Sequence, residues 1–315
     1  MNPTQKNMVA LCRPDSQTLS ARDVLTGLSN RAVLQTWLDD PFRKSNNGAL
    51  LLIDLDDFKY INNLRGHAAG DLVLRDIASR LRRAAGPWGL TARIDGDEFA
   101  VLLIKPITDD VALRLADRLI DDIARPLSVF GQQINVGASI GVAIFSAQCE
   151  DGEEIFANAE LALYHAKSEG RYCARLYVPH LRATAQAKIL QYTELQEALE
   201  RHQFELFYQP QIRLDDGRLI AAEALLRWNH PSAGLLTPAF FLSSLESGAL
   251  SSRVGAWVID TACQQAAQWR RQGLDNFRIA VNLFSAQLRA PDLLGRLQRA
   301  CATAGLPPDA LEIEI

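Results

Sequence analysis

Asp54 and Asp56 close a short apolar run, and Asp97 and Glu98 sit at a glycine-centred turn between two further apolar runs. Carboxylates converging at strand ends are what a hard Mg²⁺ ion requires. Such an ion takes oxygen ligands and shares the phosphates of a nucleoside triphosphate. Taken alone, an acidic strand end is more often solvated surface than a metal site, so these four residues leave both readings open.

The elements that would position them follow from periodicity. Val33, Leu34, Trp37 and Leu38 repeat at helical spacing behind Ser29, which can cap the helix. Ala49 to Leu55 is a short, mostly apolar run that fits a buried strand. A helix is expected from Asp71 to Leu81, and Leu90 to Ile104 reads as strand, turn, strand, a hairpin. Val111 to Ile123 is an amphipathic helix, Ile134 to Phe145 is strand-like, and Glu153 to Lys167 is helical again. A hairpin in the middle of this order suggests α+β rather than a strict βαβ array. Val178 to Tyr192 is polar and alanine-rich, and the connection between two domains is placed there. The pattern then restarts: helix 194–201, strands 205–214 and 218–228 about an Asp216-Gly217 turn, helices filling 238–272, strand 278–283, helix 286–304, and a final strand-like LEIEI.

A length of 315 residues suits two domains, and 48% hydrophobic content is that of a globular protein. A net charge of −4 argues against broad attraction to nucleic acid or to an anionic membrane. A phosphate-bearing ligand would need a local device: a metal ion or a few placed basic side chains. No apolar run approaches the roughly 18 residues of a membrane span, and the start lacks a secretory pattern. Cys12, Cys149, Cys173, Cys263 and Cys301 show no zinc or redox spacing. Reduced, mostly buried thiols in a cytoplasmic protein are the expectation.

DVLTGLSNR (Asp23 to Arg31), IDLDDFKYINN (Ile53 to Asn63), GHAAGD (Gly66 to Asp71), RIDGDEF (Arg93 to Phe99), SIGVA (Ser139 to Ala143) and ALYHAKSEGR (Ala162 to Arg171) occur in this order. Together they resemble the GGDEF family of diguanylate cyclases over residues 21–175. The resemblance implies a nucleotidyl-cyclase-like α+β domain over 21–178, after an irregular lead of 1–20. It implies that Asp54, the carbonyl of Leu55 and Asp97 hold Mg²⁺ (or Mn²⁺), and that Asp97 and Glu98 are catalytic, with Asp97 the base for the 3′-hydroxyl. Asn62 and Asp71 match guanine-reading positions, His67 a substrate-site position, and Lys167 and Arg171 the pair gripping the terminal phosphates. Two GTP-loaded protomers would face each other as a homodimer to form cyclic-di-GMP.

Three departures stand out. Asp95 replaces the first glycine of the signature. Aspartate tolerates left-handed backbone, but a carboxylate about 6 Å from a phosphate charge, at an effective dielectric of about 20, costs roughly 3 kcal/mol. Asn63 stands where the family usually has an acid. Gly86 and Gly89 occupy the places of the Arg-x-x-Asp product-inhibition motif, so feedback by cyclic-di-GMP there is not expected.

From about Thr193, after a linker of 179–192, the segments Gln209 to Pro231, Ala280 to Leu283 and Leu311 to Ile315 resemble the EAL phosphodiesterases. Glu223, Asn282 and Glu314 fall in three successive strands, whose ends converge on one face of a TIM-like barrel. By resemblance these three are metal ligands, and Gln209 and Arg227 are substrate contacts. A complete barrel takes about 250 residues, and 193–315 supplies 123. The expected class is therefore α/β: an α+β GGDEF domain followed by the first part of an EAL barrel, with hydrolysis of cyclic-di-GMP by this half not expected. The functional expectation is cyclic-di-GMP signalling, with GTP and cyclic-di-GMP as partners. Three forms stay open: a cyclase, a non-catalytic GTP-binding regulator of an EAL enzyme, and a piece of a phosphodiesterase.

Overall fold

Ser29 and Asn30 form a two-residue strand, β1, and helix α1 (Arg31–Asp39) starts directly behind it. The cap is Asn30, whose side-chain oxygen accepts from the Val33 N–H at 3.1 Å. Ser29, the expected cap, is instead paired with Ala92 in a sheet. In this computed structural model residues 21–40, 46–86, 89–146, 151–246 and 249–314 are described. The lead 1–20, with Cys12, and also Cys149 and Ile315 lie outside them.

The apolar run becomes β2 (Gly48–Asp56). Two short-linked helices follow, α2 (Phe58–Arg65) and α3 (His67–Ala85), then the hairpin β3 (Gly89–Asp95) and β4 (Glu98–Leu103). Helix α4 (Asp109–Ala124), a small hairpin of β5 (Leu127–Val129) and β6 (Gln132–Ile134), strand β7 (Gly137–Phe145), helix α5 (Gly152–Ser168) and strand β8 (Ala174–Leu176) complete the first unit's order. The main sheet runs β1-β3-β4-β2-β7-β8, and its four inner strands pair antiparallel, so the mixed α+β expectation holds.

Packing on both faces explains why β2 is apolar from Ala49 to Ile53. Leu51, Ile53 and Leu55 enter a core with Val73 and Ile77 of α3 and Leu119 of α4. Leu50 and Leu52 enter another core on the opposite face, with Leu34 and Leu38 of α1 and Ile155 of α5. A strand covered on both faces has no polar side to show. Its acidic residues, Asp54 and Asp56, come at its end.

The chain divides into two compact units between Ala185 and Gln186. Residues 179–192 are helical and form the first part of α6 (Pro179–Glu200). Alanine-rich polar sequence without interior Gly or Pro favours helix over loop, and proline is tolerated at a first helical position. The second unit holds β9 (Phe204–Ile212), β10 (Leu219–His230), β11 (Gly234–Leu236), helix α7 (Leu250–Arg271), β12 (Arg278–Asn282), helix α8 (Leu293–Ala304) and β13 (Leu311–Glu314). The helix expected over 286–304 is split into a single turn at Ser285–Leu288 and α8. Pro291 between them cannot donate to a helix interior. Strands β10, β12 and β13 are parallel neighbours and β9 lies antiparallel on β10. Parallel strands with helical crossovers are how such barrels begin. One face of β10, with Ala222, Ala224 and Trp228, packs into a core with Val254 and Ile259 of α7.

Candidate functional site

In the first unit, the face of β2 that carries Leu50 and Leu52 turns acidic at Asp54 and Asp56, while Leu55 between them stays in the other core, and the β3–β4 hairpin brings its turn alongside. Asp54 pairs with Glu98 in register, and the Leu55 N–H donates to the Asp97 carbonyl at 3.3 Å. Burial, then the charge of Asp54, pushes the Asp97 carboxyl above its ordinary range; the same two causes raise Glu98. Like charges gathered in a partly dry place disfavour ionisation. Lys167, near the end of α5, answers them: its Nζ lies 2.7 Å from Asp54 Oδ2.

Asp56 shares the sheet face of Asp54 but does not present a free carboxylate. It is 4% exposed, and its oxygens accept from Ser139 Oγ at 2.9 and 3.1 Å and from the Tyr172 N–H at 3.1 Å. Of the two aspartates expected to converge on a metal, only Asp54 faces the hairpin turn. Arg171 reaches the next carboxylate, with Nη1 3.2 Å from Asp57 Oδ1.

Asn62, His67, Asp71 and Asp97 line one cleft of about 380 Å³, with Lys59, Asn63, Arg93 and Gly96 also in its wall. The sequence placed only Asp71 on an expected helix; the structure puts Asn62 on α2 and His67 with Asp71 on α3, and the fold brings Asp97 to them. Arg93 fixes the turn: Nε and Nη2 donate to the Gly96 carbonyl at 3.0 and 2.6 Å, and Nη1 donates to both oxygens of Asp23. Burial works against the Asp23 charge, yet hydrogen bonds from Thr26 and Arg93 together hold its carboxyl below the usual range. The left-handed residue of the turn is Gly96, at φ 38°, and not Asp95, so the substituted position never calls on aspartate's tolerance for that geometry. Asp95 is exposed and accepts from the Gly96 N–H at 2.9 Å.

Asp23, Lys59, Arg93, Gly70 and Ser139 were not singled out from the sequence. All five lie inside quoted motifs without a role, since nothing local says what they meet. The case of Gly70 is steric. A Cβ there would fall 2.0 Å from Asn62 Oδ1, so only glycine lets the Asn62 amide lie over α3.

In the second unit Gln209 and Glu223 are opposite each other on β9 and β10, and Asn282 and Glu314 on β12 and β13. The Asn282 amide donates to Glu223 Oε1 at 2.8 Å. Burial, then Glu223 and Glu312, raises the Glu314 carboxyl. Arg227, two pleat repeats beyond Glu223 on β10, donates to the Leu226 carbonyl and lies over the Phe207 ring, 5.5 Å from its centre. It is not tied to the carboxylates. Among the described residues no group of three or more His, Cys, Asp or Glu side chains has metal-ligating geometry in either unit. Burial, with Cys301 beside it, pushes the Cys263 thiol up to about 12, and Cys301 is buried too. No helix among the described residues is long and apolar enough to cross a membrane.

Residues 20–173 match the diguanylate cyclase GGDEF domain and residues 193–315 the EAL domain. The solved GGDEF domain of TpbB (YfiN) from Pseudomonas aeruginosa is 36% identical. The match covers 99% of that chain and 52% of this one, with a TM-score of 0.50. The chain belongs to the GGDEF–EAL family. MucR of P. aeruginosa, a bifunctional diguanylate cyclase/cyclic di-GMP phosphodiesterase, is 37% identical over 303 residues, 94% of this chain and 44% of MucR. NbdA of the same organism, a cyclic di-GMP phosphodiesterase, is 34% identical over 298 residues, 93% of this chain and 38% of NbdA. The chain thus spans less than half the length of these relatives. Relatives named for synthesis and for hydrolysis both match, so membership places the GGDEF and EAL units in cyclic-di-GMP signalling without choosing between the two reactions.

Proposed function

We propose that the GGDEF unit binds GTP with a divalent cation, Mg²⁺ or Mn²⁺, and condenses two such nucleotides to cyclic-di-GMP across a homodimer. The cleft that joins Asn62, His67 and Asp71 to Asp97 carries this reading. An amide and a carboxylate side by side offer the mixed donors and acceptors that a guanine edge demands. Asp97, which lines the same cleft, is where a ribose 3′-hydroxyl would meet a base.

The donor set suits a cation that arrives with phosphates. Two carboxylates, Asp54 and Asp97, and the Leu55 carbonyl give fewer than the six oxygens Mg²⁺ takes, leaving places for phosphate oxygens. The raised carboxyls of Asp97 and Glu98 mark negative charge that Lys167 only partly offsets. When bound, the cation would neutralise charge developing on the phosphoryl oxygens. Lys167 and Arg171 would turn from Asp54 and Asp57 to the terminal phosphates. Asp97, whose carboxyl burial and the charge of Asp54 raise in the metal-free site, is the group placed to act as the base.

A second reading, GTP binding without turnover in control of an EAL enzyme, is favoured by Asp95, which adds a carboxylate to the phosphate approach. In the EAL unit we propose that Glu223, Asn282 and Glu314 form part of a metal site and that Gln209 and Arg227 contact cyclic-di-GMP. Calorimetry with GTP tests the first proposal. Binding should require Mg²⁺ or Mn²⁺ and be lost in Asp54→Ala, and product chromatography then separates cyclase from silent binder. Equal GTP binding with and without metal removes the site's basis.

A further inference from the structure

Behind α5 the chain makes a turn that few side chains adopt. Gly170, Arg171 and Tyr172 all have positive φ, at 113°, 64° and 52°. Two consecutive non-glycine residues in left-handed backbone persist only where the surroundings hold them. The holding group is Asp56, buried at the end of β2 and accepting from the Tyr172 N–H. Ser139 Oγ donates to the same carboxylate and fixes its rotamer. The Tyr172 ring lies directly on Gly137, where a Cβ would come within 1.9 Å of Cε1. Its hydroxyl donates to Asp57 Oδ2 at 3.2 Å. A carboxylate is costly to bury and is kept buried only by such donors. Packing alone would be served by an apolar residue.

We infer that Asp56 is a positioning residue for the triphosphate end of the site: through the Tyr172 N–H it holds the left-handed turn from which Arg171 reaches Asp57, the residue that follows the strand end carrying Asp54. It touches neither metal nor nucleotide. The inference rests on the reading of the GGDEF unit as a GTP site, and it explains why two aspartates separated by one residue have different partners, Lys167 for Asp54 and Ser139 with the Tyr172 N–H for Asp56. Arg171 has a long flexible side chain, and without a fixed backbone its guanidinium would be spread over many directions. Holding the turn removes that freedom before the phosphates arrive.

A double-mutant cycle on GTP affinity, measured by calorimetry with Mg²⁺ on the full chain, tests this, with melting temperatures taken in parallel. Asp56→Ala should weaken GTP by about 10-fold, close to the loss in Arg171→Ala, and adding Arg171→Ala to Asp56→Ala should cost less than about twofold more. Asp56→Asn, which keeps an oxygen for Tyr172 while Ser139 becomes an acceptor, should bind within about threefold of the parent. If Asp56→Ala does not fold, Ser139→Ala replaces it in the cycle, with a smaller loss of about threefold that again vanishes in the Arg171→Ala background. Losses that simply multiply in the double variant would show a general destabilisation and overturn the inference alone. A parent that binds no GTP would overturn the nucleotide reading, and this inference with it.

Discussion

At the scale of single residues, the acidic edge of the GGDEF unit trades stability for chemistry. Asp97 and Glu98 have carboxyls raised above their ordinary values of 3.8 and 4.5. Their contribution to stability is therefore fully present below those values and is lost as pH rises through the raised ones. At neutral pH the folded, metal-free chain carries their repulsion with Asp54. Asp97→Asn should raise the metal-free melting temperature at pH 7 by about 1–3 °C, and the gain should fade below about pH 4, where Asp97 is already protonated. Scanning calorimetry at both pH values checks this; a gain that persists in acid would assign the effect to something other than charge. Asp95 is a milder case than its charge alone suggests. Its exposure and its bond to the Gly96 N–H screen it, which reduces the cost reckoned from an unscreened approach. Asp95→Gly should tighten GTP by about three- to tenfold rather than a hundredfold. Unchanged affinity would mean that the side chain lies outside the phosphate field.

At the scale of elements, α2 and α3 are packed around one small residue. Gly70 lies within α3, and the atom a Cβ would meet is the end of the Asn62 side chain, with Phe58 Cζ next at 3.1 Å. The end of a side chain can move where backbone cannot. Gly70→Ala should therefore leave the fold intact, with alanine's helix preference of about 0.5–1 kcal/mol offsetting the shift of Asn62. The displaced Asn62 amide should nonetheless lose its place in the cleft, weakening GTP by about tenfold or more. Paired melting and calorimetry separate the two effects. A parent-like affinity would place the guanine contact elsewhere than Asn62. The hairpin is a similar case of local design with a distant tie, because its turn is held by Arg93 to Asp23 of an earlier segment.

At the scale of the whole molecule, each unit has cores of its own. The GGDEF sheet is covered on both faces by helices. In the EAL unit β13 is paired with β12 along one edge only, among the described residues. An unpaired edge is a template for another chain. Residues 21–178 expressed alone should melt cooperatively as a monomer at low concentration, whereas residues 193–315 expressed alone should self-associate or bind ANS. Analytical sedimentation with thermal melts distinguishes these outcomes. A sharp, concentration-independent melt of monomeric 193–315 would show that the edge needs no partner.

Much of this protein is written locally. Burial of β2 follows from its apolar run. The hairpin follows from a glycine between two such runs, and the parallel start of the EAL unit from strands alternating with helices. Family membership was legible because ordered motifs sit at the ends of those elements. What the sequence could not reveal is which side chains are spent on one another. Strand alternation puts Asp54 and Asp56 on one face and treats them alike. Only the packed chain turns Asp56 toward Ser139 and the Tyr172 N–H while leaving Asp54 to Lys167. Likewise Asn30 rather than Ser29 caps α1, because pairing with Ala92 claims Ser29. Periodicity is a property of neighbours along the chain, but hydrogen-bond satisfaction is settled among groups far apart in sequence, and it exists only once the sheet and its helices have closed.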